Sequence, residues 1–134
     1  MQIDGRVLAV ARAELAWRST RHPGIAWFPL HLAAEGEGAA RDSAVLIRME
    51  PGRGYPTHEH LDVEDVLLLQ GGYADEFGEH RAGGFVRYPK GSRHAPVALG
   101  RVDRPAGPGN EACILFAVAR GGVRVVDSPE HVPH

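Results

Sequence analysis

The sequence predicts an all-β sandwich or barrel formed by a single domain. Short runs rich in Val, Leu, Ile and aromatic residues recur at spacings of about ten residues. Each run is bounded by Gly, Pro, Asp or Asn. The chain also carries 17 glycines and 10 prolines, about a fifth of its 134 residues, where roughly an eighth is usual. Many short extended segments joined by tight turns satisfy all three observations.

Val7 to Trp17 opens the chain ambiguously: Ala-rich helix formers favour a helix, whereas Gly5 and the Pro23-Gly24 turn permit an extended edge strand. Strands are then expected at Ile25 to Ala33, Ser43 to Met49, Tyr55 to His60, Val63 to Leu69, Phe85 to Tyr88, Arg93 to Ala98, Glu111 to Ala119 and Val123 to Val126. Turns fall at Gly36/Gly38, Pro51-Gly52-Arg53-Gly54, Gln70-Gly71-Gly72, Gly83-Gly84 and Pro89-Lys90-Gly91-Ser92, where Gly supplies positive φ and Pro pre-sets the first turn residue. Arg101 to Asn110 reads as a surface loop and 127–134 as a loosely ordered tail, leaving a core barrel over about 17–126.

A net charge of −2, with no block of like charges, gives no electrostatic footprint for nucleic acid or an anionic membrane. No apolar run approaches the roughly 18 residues of a bilayer span, and the N-terminus lacks a signal-type apolar core, so a cytoplasmic location is expected. The single Cys113 has no partner for an internal disulfide or a Cys-rich zinc site. Its apolar surroundings, Ala112 to Ala119, predict a buried, inert thiol.

Chemistry concentrates between Gly52 and Gly71. In a strand, His58 and His60 point to one face and offer two imidazoles side by side. Leu61-Asp62-Val63 is short enough for a tight hairpin link that would return Glu64 to the two histidines and add a hard oxygen. The strand that follows is almost wholly apolar. A carboxylate facing the side of Val66 and Leu68 would be costly to bury unless paired or metal-bound. His94 offers a fourth ligand, opening a strand just past the Pro89-Lys90-Gly91 turn that fixes its direction.

These spacings resemble the cupin superfamily. Its first motif, G-x5-H-x-H-x3-E-x6-G, is matched by Gly52, His58, His60, Glu64 and Gly71. The second, G-x5-P-x-G-x2-H-x3-N, is matched by Gly83, Pro89, Gly91 and His94, with Ala98 where the family has Asn. That departure reads as a change in strand packing rather than loss of metal. The resemblance implies a jelly-roll β-barrel holding one divalent metal on His58, His60, Glu64 and His94. Flanking features are similar to the ChrR-type cupins: Trp17 with Pro23-Gly24, Arg48 to Gly52, Asp75-Glu76-Phe77-Gly78, and Arg87 to His94. That group is similar to the C-terminal zinc-binding domain of the ChrR anti-sigma factor and to small dioxygenases cleaving diketones or hydroxyketones. The family's paired Glu is Glu64-Asp65 here. Because the diketone-cleaving relatives use three-histidine sites, ligation by Glu64 stays open.

His22, His31, His80, His131 and His134 have no ligand spacing and are expected at the surface. Arg48, Tyr55, Val66, Leu68 and Phe116 are candidates for the substrate pocket. Three imidazoles and a carboxylate suit Fe, Zn, Mn, Ni or Cu, and ligand type alone does not choose among them. Such a centre leaves room for a small chelating compound, and the leading expectation is an oxygenase-type enzyme acting on a diketone or hydroxyketone. A non-catalytic zinc-binding sensor or regulator is the alternative. Against a complete anti-sigma factor, the barrel uses up the 134 residues. A barrel with vestigial ligands is the third reading. A homodimer is also expected, its interface sought at Val7 to Trp17 and Trp27-Phe28.

Overall fold

A computed structural model of the chain describes residues 14–32, 42–126 and 131–132. Among the described residues thirteen strands follow in order: β1 Arg18–Ser19, β2 Ile25–Leu32, β3 Ser43–Met49, β4 His58–His60, β5 Glu64–Gln70, β6 Gly72–Asp75, β7 Gly78–Arg81, β8 Phe85–Tyr88, β9 Arg93–His94, β10 Val97–Ala98, β11 Cys113–Ala119, β12 Val123–Val125 and β13 His131–Val132. Every pairing is antiparallel, and the chain is all-β as its turn rhythm predicts. Val7 to Trp17 lies largely outside the described residues, as do most of the tail and the Gly36/Gly38 turn.

The strands form three sheets. The six-stranded one runs β1-β2-β3-β11-β5-β8, the four-stranded one β13-β12-β4-β9, and the three-stranded one β10-β6-β7. Alternation sets the faces of the large sheet. Ser43, Val45 and Met49 of β3, Val66 and Leu68 of β5, and Cys113, Leu115, Ala117 and Ala119 of β11 are buried on one face. Their neighbours Asp65, Leu67 and Leu69 turn outward. Tyr73 of β6 and Tyr88 of β8 complete the core from the short strands. Val45, Cys113 and Ala117 are 0% exposed, and burial of a Leu or Met among such residues contributes roughly 1.5–3 kcal/mol.

Two expected strands differ from the sequence reading, each for a backbone reason. Tyr55 to His60 is ordered as a strand only from His58, because Pro56 lacks the N–H a ladder needs. Arg93 to Ala98 is interrupted at Ala95-Pro96 and yields two short strands in different sheets. The hairpin of β6 and β7 was not anticipated, since its polar sequence Asp75-Glu76-Phe77-Gly78-Glu79-His80 has no apolar alternation.

Gly71, at φ +61°, is the link from β5 to β6. A Cβ there would stand 2.7 Å from the carbonyl oxygen of Ala112, so the close approach of this turn to β11 requires glycine. Ala98, in place of the family's Asn, is buried in β10 opposite Tyr73.

Candidate metal centre

Strand β4 presents His58 and His60 on its inner face, 2% and 0% exposed, while Glu59 between them points outward to Arg93 and Arg124 at 3.0 and 3.2 Å. Strand β9 pairs with β4 so that His94 lies directly opposite His58, their ring centroids 4.5 Å apart. The Pro89 to Ser92 turn sets this register. Gly91 takes φ +86°, its N–H donates to the carbonyl of His60 at 2.8 Å, and the N–H of His60 donates to the carbonyl of Ser92 at 2.9 Å. One ring nitrogen from each of the three histidines lies within 4.8 Å of the other two, the one such cluster among the described residues.

The hydrogen bonds at the backs of the rings fix which nitrogens these are. His58 Nδ1 lies 3.0 Å from the carbonyl of Pro56, which only accepts, so Nδ1 carries the proton. His60 Nδ1 lies 3.1 Å from Ser92 Oγ, whose own proton is donated to the carbonyl of Pro89 at 2.6 Å. His94 Nδ1 lies 2.9 Å from Asp75 Oδ2. Burial pushes the Asp75 carboxyl upward, but hydrogen bonds from Tyr88, His80, His94 and the Phe77 N–H outweigh it and hold the group at about 2. Asp75 is therefore ionised and His94 Nδ1 donates to it. All three histidines keep their protons on Nδ1, which leaves three Nε2 lone pairs for the interior. That is how protein ligands present imidazole to a metal.

Glu64 stands beside them at the start of β5, 2% exposed. Its Oε1 lies 3.0 Å from His60 Nε2, yet Nε2 makes no hydrogen bond. Two acceptor atoms at that separation, away from water, repel unless a cation lies between them. A proton on Nε2 would relieve this pair alone, whereas one metal ion answers all the converging lone pairs. The donor set fits a divalent ion: three neutral imidazoles fixed from behind, with a carboxylate adjacent. The route by which Glu64 arrives differs from the expected hairpin. β4 pairs with β12 and β9, and β5 with β11 and β8, so Leu61-Asp62-Val63 crosses from the four-stranded sheet to the six-stranded sheet.

Beside the centre is a cavity of about 50 Å³, several times the roughly 10–15 Å³ that admits one water. His58, His94 and Glu64 reach it, while its apolar wall includes Ile25, Trp27, Ile47, Met49, Val66 and Leu115. Of the residues expected in a substrate pocket, Tyr55 and Val66 line this cavity. Arg48, Leu68 and Phe116 do not. Arg48 and Phe116 alternate with the inward residues of β3 and β11 and face the other side of the sheet, where Arg48 pairs with Glu50 at 2.5 Å. Leu68 faces inward but packs into the core. Burial raises the Tyr55 hydroxyl above its ordinary value, so it remains a donor. Its ring stands edge-on between His58 at 4.9 Å and His22 at 4.6 Å. Burial also lowers His94, with the hydrogen bond to Asp75 opposing.

Of the remaining histidines, His31 is exposed as expected, and His22 is half-buried against Tyr55. His80 departs from a surface role: its side chain is 15% exposed, with Nε2 2.9 Å from Asp75 Oδ1. Asp75 itself carried no assigned role, because nothing in its local sequence pairs it with His94. Cys113 is buried, its thiol pushed up to about 12 by burial, consistent with an inert core residue.

The model of the ChrR cupin-like domain matches residues 6–102. Among solved structures, similarity extends to the complex of Rhodobacter sphaeroides SigE with the anti-sigma ChrR, at 25% identity and a TM-score of 0.61, covering 81% of this chain. This chain spans 50% of the length of that one. A putative acetylacetone dioxygenase from Methylibium petroleiphilum PM1 is 16% identical with a TM-score of 0.70, covering 100% of this chain and 90% of the other. The acetylacetone dioxygenase of Acinetobacter johnsonii is 13% identical with a TM-score of 0.70, covering 98% and 85% respectively. These last two share the fold. No curated protein matches the sequence.

Proposed function

The chain belongs to the ChrR cupin-like domain family, and we propose that its three-histidine cluster holds a divalent metal and serves an oxygenase-type enzyme acting on a small diketone or hydroxyketone. The observation that carries this reading is the convergence of three Nε2 lone pairs, fixed by their Nδ1 hydrogen bonds, at the edge of an apolar cavity. A bound divalent ion would supply Lewis-acid stabilisation of an enolate and open positions for a chelating ligand. His58, His60 and His94 would hold it, with Glu64 as an additional oxygen donor.

The rest of the chemistry belongs to the cavity wall. Trp27, Ile47, Met49, Val66 and Leu115 give the cavity an apolar wall, so electrostatic contacts inside would strengthen once a ligand displaces water. No lysine or arginine lines this cavity among the described residues, so stabilisation of a developing enolate would fall to the ion. Tyr55, Tyr73 and Thr20 are the hydroxyl-bearing residues of the lining, and Tyr55, kept protonated by burial, can donate to a substrate oxygen.

A non-catalytic regulatory cupin is the second reading, favoured by the 25% identity to the ChrR complex. Metal analysis followed by oxygen uptake separates the two. The Fe(II)-loaded protein is expected to consume oxygen with at least one member of a panel of diketones and hydroxyketones. Tight stoichiometric zinc with no turnover on any of them would establish the regulatory reading instead.

A further inference from the structure

We propose that Asp75 is the positioning residue of this centre: a buried carboxylate that holds His94 in one orientation and one tautomer and makes it the most electron-rich of the three imidazoles. The inference rests on the metal-centre reading above and goes beyond it, because Asp75 is no part of the ligand motifs.

The three rings are backed by partners of different charge. His58 donates to a main-chain carbonyl and His60 to a hydroxyl. Only His94 donates to an ionised group, and a carboxylate behind an imidazole raises its basicity as a ligand. Asp75 is itself fixed on every side. Oδ2 accepts from His94 at 2.9 Å and from the Tyr88 hydroxyl at 2.6 Å. Oδ1 accepts from His80 Nε2 and from the Phe77 N–H, both at 2.9 Å. The Tyr73 hydroxyl donates in turn to Tyr88 at 2.6 Å. A carboxylate that only shaped the β6 to β7 turn would need the Phe77 bond and could remain in water. This side chain is instead 0% exposed, and its donors come from β7, β8 and β9, with His94 among them. Burying a carboxylate is costly unless it is fully hydrogen-bonded. Four donors meet that requirement, and the arrangement leaves His94 no alternative ring flip that keeps its Nδ1 bond.

The test uses the full chain and the variants Asp75→Asn, which keeps the shape and removes the charge, and His80→Ala, which loosens Asp75 from the side remote from the centre. In metal-free protein, the ring-nitrogen NMR signals of wild-type His94 should report a single Nδ1–H tautomer. The Asp75→Asn variant should show a mixture, and its Co(II) affinity by chelator competition should fall about 10–100-fold. His80→Ala should lose less in the same direction. An unchanged tautomer and Co(II) affinity in folded Asp75→Asn, with only a lower melting temperature, would overturn the proposal and leave the metal-centre reading intact. If Asp75→Asn does not fold, an unchanged His80→Ala overturns it equally. A tautomer shift in a protein that binds no Co(II) even as wild type would establish the positioning role and sink the metal reading.

Discussion

The inner faces of the two larger sheets are built from opposite materials. The six-stranded sheet contributes long strands and an apolar wall, with Val45, Met49, Val66, Leu115 and Ala117 buried along it. The four-stranded sheet contributes strands of two or three residues, whose inward positions on β4 and β9 are His58, His60 and His94. Length and hydrophobicity stabilise the first. The second is held in register by a turn stitched to His60, with the solvated Glu59, Arg93 and Arg124 on its outer side. Stability and chemistry are therefore separated by sheet, and Glu64 is the polar side chain that the stable sheet contributes to the reactive one.

If the separation is correct, damage to each face should register in a different measurement. The largest effect is expected for His58→Ala or His94→Ala, each of which should reduce metal content from stoichiometric to undetectable by elemental analysis while the strand signature in circular dichroism persists. Full occupancy in both variants would dismiss the ligand assignment. Leu68→Ala should be the mirror case, lowering unfolding free energy by about 2–5 kcal/mol through the cavity it leaves, with metal stoichiometry of the folded fraction unchanged. A comparable metal loss in Leu68→Ala would show that the two faces are not independent.

Smaller effects sharpen the boundary. Glu64 and Asp65 are adjacent acids on opposite faces of β5, Glu64 beside His60 and Asp65 paired with Arg87 at 2.6 Å. Glu64→Gln should weaken zinc or Co(II) binding by about tenfold or more, whereas Asp65→Asn should leave it unchanged; equal behaviour would remove Glu64 from the centre. Acidification tests His94 without metal. Its folded pKa lies below the ordinary histidine value, so below a pH of about 6.5 the unfolded chain takes up the proton first. Stability of the metal-free protein should be full above that value and fall as pH drops through the window beneath it, with a shallower slope in His94→Ala when urea midpoints are compared. Least of all, Arg93→Ala should leave both metal affinity and the melting midpoint unchanged within error, because the pair it breaks is solvated.

The strands whose apolar residues alternate or run together were legible from sequence. Ser43–Met49 and Phe85–Tyr88 fall where they were expected, β2 follows its expected strand over all of its described residues, and β5, β11 and β12 differ only at their ends. Period-two alternation is a local property, and a half-buried face writes it directly into the chain. The His58 and His60 pair was legible for the same reason, since two residues apart on a strand is a spacing visible without coordinates, whereas His94 was placed by the Pro89-Lys90-Gly91 turn and the resemblance to the cupin motif. What lay beyond reach depends on long-range pairing. Asp75 approaches His94 only because β6 and β9 belong to neighbouring sheets, 19 residues apart in sequence. Arg48 and Phe116 were misplaced through one-residue register, which sends a strand side chain to the opposite face.

The three-residue link between His60 and Glu64 has a thermodynamic consequence. Because it joins the two sheets at the centre, an ion held by His58, His60, His94 and Glu64 would cross-link them, and unfolding would have to release it. Folding and metal uptake would then be one linked equilibrium. At a free-metal concentration of about one hundred times the dissociation constant, the linkage contributes roughly 2.7 kcal/mol, and the melting temperature becomes a readout of the metal the solution supplies.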